Sequence, residues 1–319
     1  MKKLLLILLF FPMIGFGQNV YIPDANFKAY LVGEPTINTN GDAEIQVSEA
    51  TAFNGQIDVY GMGLYDLTGI ENFTALTTLS CSNNQLTSLD VSSCTALTSL
   101  ECGENQLLSL DVSNNLALTD LYCDNNQLTS LDVSTNLALN WLSCDNNQLT
   151  SLNIYGATEL YMLYCNNNQI ITLDLSSNIA LDDVRCNYNQ LTSLDVSQNT
   201  ALVRLECNSN QLISLDLRNG NFNLSDGNLF IDATNNNNLN CINVDDVAWS
   251  TANWIVGSHI DPQHFFSTSC PPPSATEEHS TNKELLKVTD LLGRETKQTN
   301  QPLFYIYDDG TVEKRIVIE

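Results

Sequence analysis

Ten cysteines in a chain of 319 residues are the first groups to question for chemistry. Seven of them, Cys81, Cys102, Cys123, Cys144, Cys165, Cys186 and Cys207, are each 21 residues after the last. Coils that repeat with the sequence and stack as strands would sit ~4.8 Å apart, so these side chains would run parallel in single file. A disulfide needs Cβ atoms near ~3.8 Å on converging vectors, and a zinc site needs four ligands converging on one point. A single file offers neither. The seven are expected to be free, buried thiols acting as small hydrophobes. The other reactive groups are scattered. His259, His264 and His279 lie outside the periodic region, and Asp182 and Asp183 are adjacent, so they face opposite sides of a strand. There is no nucleophile motif, phosphate loop or metal-ligand cluster. Intrinsic enzyme activity is not expected.

The elements that position the cysteines follow from the same beat. Residues 97 to 117, LTSLECGENQLLSLDVSNNLA, show the unit: L-x-x-L-x-C-x-x-N-x-L, then L-x-x-L-D-V-x-x-N. The halves, 10 and 11 residues long, are versions of one pattern. Leu100 and Cys102 are two apart, so they point inward while Glu101 points out. One unit cannot close a core, but stacked units align each apolar column. Asn84, Asn105, Asn126, Asn147, Asn168, Asn189 and Asn210 recur at the buried turn, where their carboxamides can bond backbone groups from coil to coil. A looser second column reads Cys94, Asn115, Asn136, Ala157, Asn178, Asn199 and Gly220. These motifs resemble the leucine-rich-repeat family, in its short bacterial class with Cys in the third apolar place. The resemblance implies a mainly β solenoid over residues 55–222. Its other side should be extended or in short helical turns, since 21 residues leave little room for a long helix.

Two outward faces follow, and they differ. In the second half, the columns Ser88, Ser109, Ser130, Ser151, Thr172, Ser193, Ser214 and Asp90, Asp111, Asp132, Asn153, Asp174, Asp195, Asp216 hardly vary, which marks a structural or solubilising face. In the first half, Tyr122, Trp141, Met162 and Tyr164 adjoin one another, with Arg185 and Arg204 beside them. Aromatics, Met and Arg are the usual composition of interaction hot spots, and aromatics also stack on sugar rings. This face is expected to take a protein or glycan ligand. Two alternatives stand beside that expectation: a structural, self-associating surface protein, and a non-catalytic accessory module of a polysaccharide-processing system.

Caps must cover the open ends of a solenoid. In front, residues 18–54 hold two expected helices, IPDANFKAYLVG and VSEATAF. The stretch between them, Asn38 to Glu49, resembles the EF-hand or dockerin calcium loop. The resemblance implies oxygen ligands from Asn38, Asn40, Asp42, the Glu44 carbonyl and Glu49, around Ca2+. Asn38 replaces the usual Asp and Ala43 the usual Gly, which predicts weak affinity. Behind, residues 223–270 form the second cap, carrying Trp249, Trp254, Phe265 and Phe266. Cys241 and Cys270, off the repeat positions, are expected to pair and close it.

The ends read as addresses. Residues 1–17 put Lys2 and Lys3 before a short apolar run, with Gly15 and Gly17 at a cleavage site, as in a secretory signal peptide. That run is too short to span a bilayer, and no transmembrane segment is expected after its removal. Pro271 opens a linker, residues 271–281, before a segment of two or three short strands, residues 282–319. Leu292-Gly293-Arg294, the Leu303–Tyr307 strand, Gly310 and the ending Lys314-Arg315-Ile316-Val317-Ile318 resemble a shortened type IX secretion sorting domain. The resemblance implies engagement of the type IX secretion machinery, removal of the segment, and release or anchoring at the bacterial cell surface. Charge agrees with export as a non-nucleic-acid binder: the chain has 37 acids, 12 bases and a net of −25. A body that acidic is repelled by nucleic acid and by anionic lipid.

Overall fold

The computed structural model describes residues 17–220 and 230–271, and beyond them three strands of the C-terminal segment. Residues 1–16 of the expected signal peptide, most of the linker, Leu292-Gly293-Arg294 and Gly310 lie outside the described residues. Two compact units divide at Cys270 and Pro271.

The first unit is a parallel β-solenoid. Three-residue strands from successive coils form a nine-stranded sheet that begins at Gln56–Asp58, continues through Thr78–Ser80, and ends at Arg204–Glu206 and Phe230–Asp232. Register is constant: Leu79 pairs with Leu100, Leu100 with Leu121, Leu121 with Leu142 and Leu142 with Leu163. The period of two along each strand puts these leucines and the following cysteines inside, and all seven repeat cysteines are fully buried. The opposite side is more strand-like than expected. Ser130–Asp132 pairs with Ser151–Asn153, and Ser193–Asp195 with Ser214–Asp216. Tight turns connect the halves.

Both asparagine ladders are present. In the first, Asn126 Nδ2 donates to Cys102 O at 3.0 Å and its Oδ1 accepts from Leu107 N at 2.9 Å, and the other members repeat the pattern. In the second, Nδ2 alone bonds, as Asn136 Nδ2 does to Val112 O and Asn115 O at 3.0 Å each. The residue before each asparagine of the first ladder takes a left-handed backbone, φ 57° at Asn83 and 54° at Asn125, Asn146 and Asn167. Asparagine tolerates that conformation better than most side chains, which accounts for the Asn-Asn pairs. In the second ladder the last place belongs to Asn219 rather than Gly220, with Asn219 Nδ2 donating to Asn199 O at 3.0 Å. Cys94 keeps its place by donating its thiol to Ile70 O at 3.4 Å.

The repeat does not stop at 222. Phe230–Asp232 adds to the large sheet, Ala233 takes the cysteine place, and Asn236 extends the ladder to Cys207 O at 3.1 Å. Cys241–Asn243 and Phe265–Ser267 extend the other side. The C-terminal cap is thus a degenerate further coil. The helix α3, Val247–Asn253, starts at Asp246, whose carboxylate accepts from Trp249 N at 3.0 Å. Trp254 is buried against Trp249 and Phe266, but Phe265 points outward at 53% exposure. The disulfide joins Cys241 and Cys270, with Cα atoms 5.7 Å apart. In front, α1 (Ala25–Gly33) and α2 (Val47–Ala52) bring Phe27, Leu31 and Ala50 into the core, joined by Ile45 from the loop between them.

The second unit contains a three-stranded antiparallel sheet, Leu285–Thr289, Pro302–Tyr307 and Val312–Ile316. No helix among the described residues is long and apolar enough to cross a membrane.

Candidate functional site

Parallel register places the outward residues of the large sheet in columns. Asp120 pairs with Trp141, Trp141 with Met162 and Met162 with Asp183. Beside them run Tyr122, Ser143, Tyr164 and Arg185. The structure therefore brings Tyr122, Trp141, Met162, Tyr164 and Arg185 into one continuous group. The Tyr122 and Trp141 rings are 5.6 Å apart, and Trp141 meets Tyr164 edge-on at 5.9 Å. The Tyr164 hydroxyl donates to Asp183 Oδ2 at 3.1 Å. Burial, and next the Asp183 charge, push that hydroxyl's pKa above its ordinary value. All five side chains are half-buried, so they are held by packing while part of each reaches solvent.

The two arginines are each engaged with an acid of their own strand. Arg185 lies over the Tyr164 ring at 4.4 Å and grips Asp183 through Nε at 3.1 Å and Nη2 at 2.8 Å. Arg204 stands apart from the aromatic group: it covers Phe230 at 4.6 Å and donates to Glu206 through Nε at 2.7 Å. Neither is a free cation on this face. The cause is position, since each arginine sits two residues from an acid on the same side of its strand.

A third outward column escaped the sequence reading. Alternation runs on past the cysteine, through Gly103, Asp124, Asp145, Asn166, Asn187 and Asn208, and the ladder bonds keep it in register, as in Asn125 N to Asp145 O at 2.9 Å. Asp145 Oδ1 accepts from Asn166 N at 2.6 Å, and Asn166 Oδ1 from Asn187 N at 2.9 Å. Burial, and less strongly the Asp124 charge, raise the Asp145 carboxyl to about 6. The signal was the Cys-Asp and Cys-Asn pairs, two residues beyond each strand's last outward place.

The acidic column of the other face is structural. Asp90 Oδ1 accepts from Ser92 N at 2.9 Å, and Asp111, Asp132, Asp174 and Asp195 repeat the bond two residues on. These Asx turns start the tight connections. The hydrogen bonds from Ser92 hold the Asp90 carboxyl below its ordinary value.

The calcium set of the front loop is gathered in space but turned to protein donors. Glu49 Oε1 accepts from Thr39 N, Thr39 Oγ1 and Asn40 N, and its Oε2 accepts from Gln46 N. Burial opposes ionisation of Glu49, but these bonds outweigh it and lower the pKa. Asn38 donates to Asp42 O at 2.8 Å, Asn40 Oδ1 accepts from Asp42 N, and the Glu44 side chain pairs with Lys28 Nζ at 2.7 Å. So arranged, the side-chain oxygens do not fit a calcium ion: a bidentate Glu49 would have to release four donors.

Comparison with known proteins agrees with this geometry. Residues 74–117 match the family described as Leucine Rich repeats (2 copies). The structure is similar to the functional domain of InlJ from Listeria monocytogenes, described as including a cysteine ladder, with a TM-score of 0.62 and 34% identity. The match covers 75% of this chain and 56% of that one, so this chain spans little more than half the length of that relative. Internalin C2 from Listeria monocytogenes str. 4b F2365 is similar at a TM-score of 0.54 and 20% identity, covering 71% of this chain and 97% of its own, a likeness of fold alone. No curated protein sequence matches the chain. The chain is a leucine-rich-repeat protein by fold, and its similarities lie with bacterial examples of that fold.

Proposed function

We propose that this chain is an exported binding or adhesion protein that recognises a protein or glycan ligand through the outward face of its nine-stranded sheet. Solenoids of this kind commonly present such extended faces to partners. One observation carries the reading: Tyr122, Trp141, Met162 and Tyr164 form a contiguous, half-buried group at the middle of that sheet. The opposite face serves as an internal control, because its monotonous Asp column is explained by turn formation. Aromatic anchors held by packing lose little entropy on binding. No catalytic step is part of this reading.

The test is Trp141→Ala with Tyr164→Ala, screened against a protein and glycan array. Retained folding with lost capture supports the face, and unchanged capture rejects it. Export through a cleaved signal and a removed type IX sorting segment belongs to the same proposal. Mass spectrometry of culture supernatant tests it: intact ends on the released or surface-held product would reject processing.

A second reading, self-association into a surface structure, draws on another feature. Leu116, Leu137 and Ile179 occupy the same place in three coils and are 60%, 61% and 61% exposed. An apolar column in solvent is a common mark of a contact surface. Light scattering of the whole chain and of Leu116→Ser with Leu137→Ser separates the readings: a concentration-dependent mass lost in the variant would favour assembly.

A further inference from the structure

The aromatic group sits in an acidic frame that lacks compensating cations. Register puts Glu101 beside Tyr122 and Asp120 beside Trp141. Strand alternation adds Asp124 and Asp145 to the same outward side. Gly103 keeps the place next to Asp124 open, since a Cβ there would come within 2.9 Å of Asp124 Oδ1. Among the described residues, none of these four carboxylates is in a salt bridge. Glu101 accepts from Ser80 Oγ at 2.9 Å, Asp120 from Thr119 Oγ1 at 2.7 Å, Asp124 from Asn125 Nδ2 at 2.7 Å and Asp145 from Asn166 N at 2.6 Å. The nearby arginines answer other acids, Asp183 and Glu206. The field is felt locally: burial raises the Tyr122 hydroxyl pKa, and the charges of Asp120 and Glu101 raise it further.

We infer that the partner of this face is a basic polypeptide segment whose lysine or arginine side chains lie over Trp141 and Tyr122 and reach Glu101, Asp120, Asp124 and Asp145. The inference rests on the binding reading above. Its ground is complementarity: aromatic faces attract cations, and unpaired carboxylates around them both attract a basic chain and repel anionic ones. An anionic glycan would face four carboxylates that no salt bridge neutralises. A neutral glycan would find the aromatics but bring the carboxylates no cation.

The test uses the whole protein at about 0.15 M salt, where attraction between distant charges is screened. The probes are an octa-arginine peptide, an octaglutamate peptide and a neutral hexasaccharide, with binding followed by calorimetry. Three variants are compared, each checked by thermal melting. In Glu101→Gln/Asp120→Asn/Asp124→Asn three of the four frame carboxylates are neutralised with oxygen acceptors kept. In Trp141→Ala the aromatic centre is lost. In Asp111→Asn/Asp132→Asn charge is removed from the other face while the Asx bond stays, as Asn153 already shows with Tyr155 N at 3.3 Å.

The basic peptide alone should bind, about tenfold or more weakly to the frame and Trp141 variants, and within about twofold unchanged to the opposite-face variant. Equal weakening by both charge variants would reduce the effect to net charge and overturn the inference. Binding of the hexasaccharide or octaglutamate instead would also overturn it, while leaving the face as a site if Trp141→Ala abolishes that binding. Indifference of every probe and of array capture to Trp141→Ala would remove the face itself.

Discussion

The carboxamide of Asn147 reaches back a full coil to donate to the carbonyl of Cys123 at 3.0 Å. The same group donates to Cys144 O at 3.1 Å and accepts from Leu128 N at 2.9 Å. One side chain thereby satisfies backbone groups on both sides of a buried turn, where water cannot. Each unmet buried group costs on the order of 1–3 kcal/mol.

Asn147→Ala should therefore destabilise the chain by about 3 kcal/mol, since it strands several groups at once. Urea unfolding followed by circular dichroism measures this. A loss below about 1 kcal/mol would show that the ladder is ornamental.

The eight free cysteines should be inert in the native chain. Burial raises the Cys81 thiol to about 12 and lifts the other ladder thiols as well, and the thiolate is the reactive form. Alkylation at pH 8 counted by mass spectrometry should find none modified natively and eight in denaturant without reductant. Rapid native labelling of any ladder cysteine would contradict the packing.

Asp145 makes stability depend on pH in an unusual direction for a carboxylate. Its folded pKa is raised from 3.8 to about 6, so ionisation is less favourable in the folded chain. The associated stability is fully present below the ordinary value and is lost as pH rises through about 6. Asp145→Asn keeps the acceptor for Asn166 N and removes the charge. The variant should be more stable than the parent by on the order of 1 kcal/mol at pH 7.5, discounted for partial solvent access, with the gap closing near pH 4. A pH-independent difference would mean that geometry, not charge, is responsible.

The front loop should be indifferent to calcium. Glu49 is already held by Thr39, Asn40 and Gln46, so the cap is complete without an ion. Melting temperatures in millimolar calcium and in chelator should agree within about 1 °C. A rise of several degrees in calcium would show that the loop reorganises around the ion.

Much of this protein was legible because its period is strict. A 21-residue repeat of Leu, Cys and Asn determines which side chains are buried, which asparagines bridge coils and which outward residues stand in line, since every coil must align with the next to close a core. The aromatic group and the free buried thiols follow from that alignment, and the Cys241–Cys270 pair stands out because both cysteines lie off it. Departures arose where the period loosens. The coil around Asn236 hides behind a changed spacing, and Asn219 slips one place to meet Asn199 O. Tertiary structure alone decided how charges answer one another. Arg185 turns to Asp183 and stacks on Tyr164, Glu49 caps its loop, and Asp124 and Asp145 join the aromatic face. These choices depend on rotamers and distances across coils, which a one-dimensional period does not contain. Spacing determined the scaffold and its columns, and side-chain contacts decided which charges in those columns are paired and which are not.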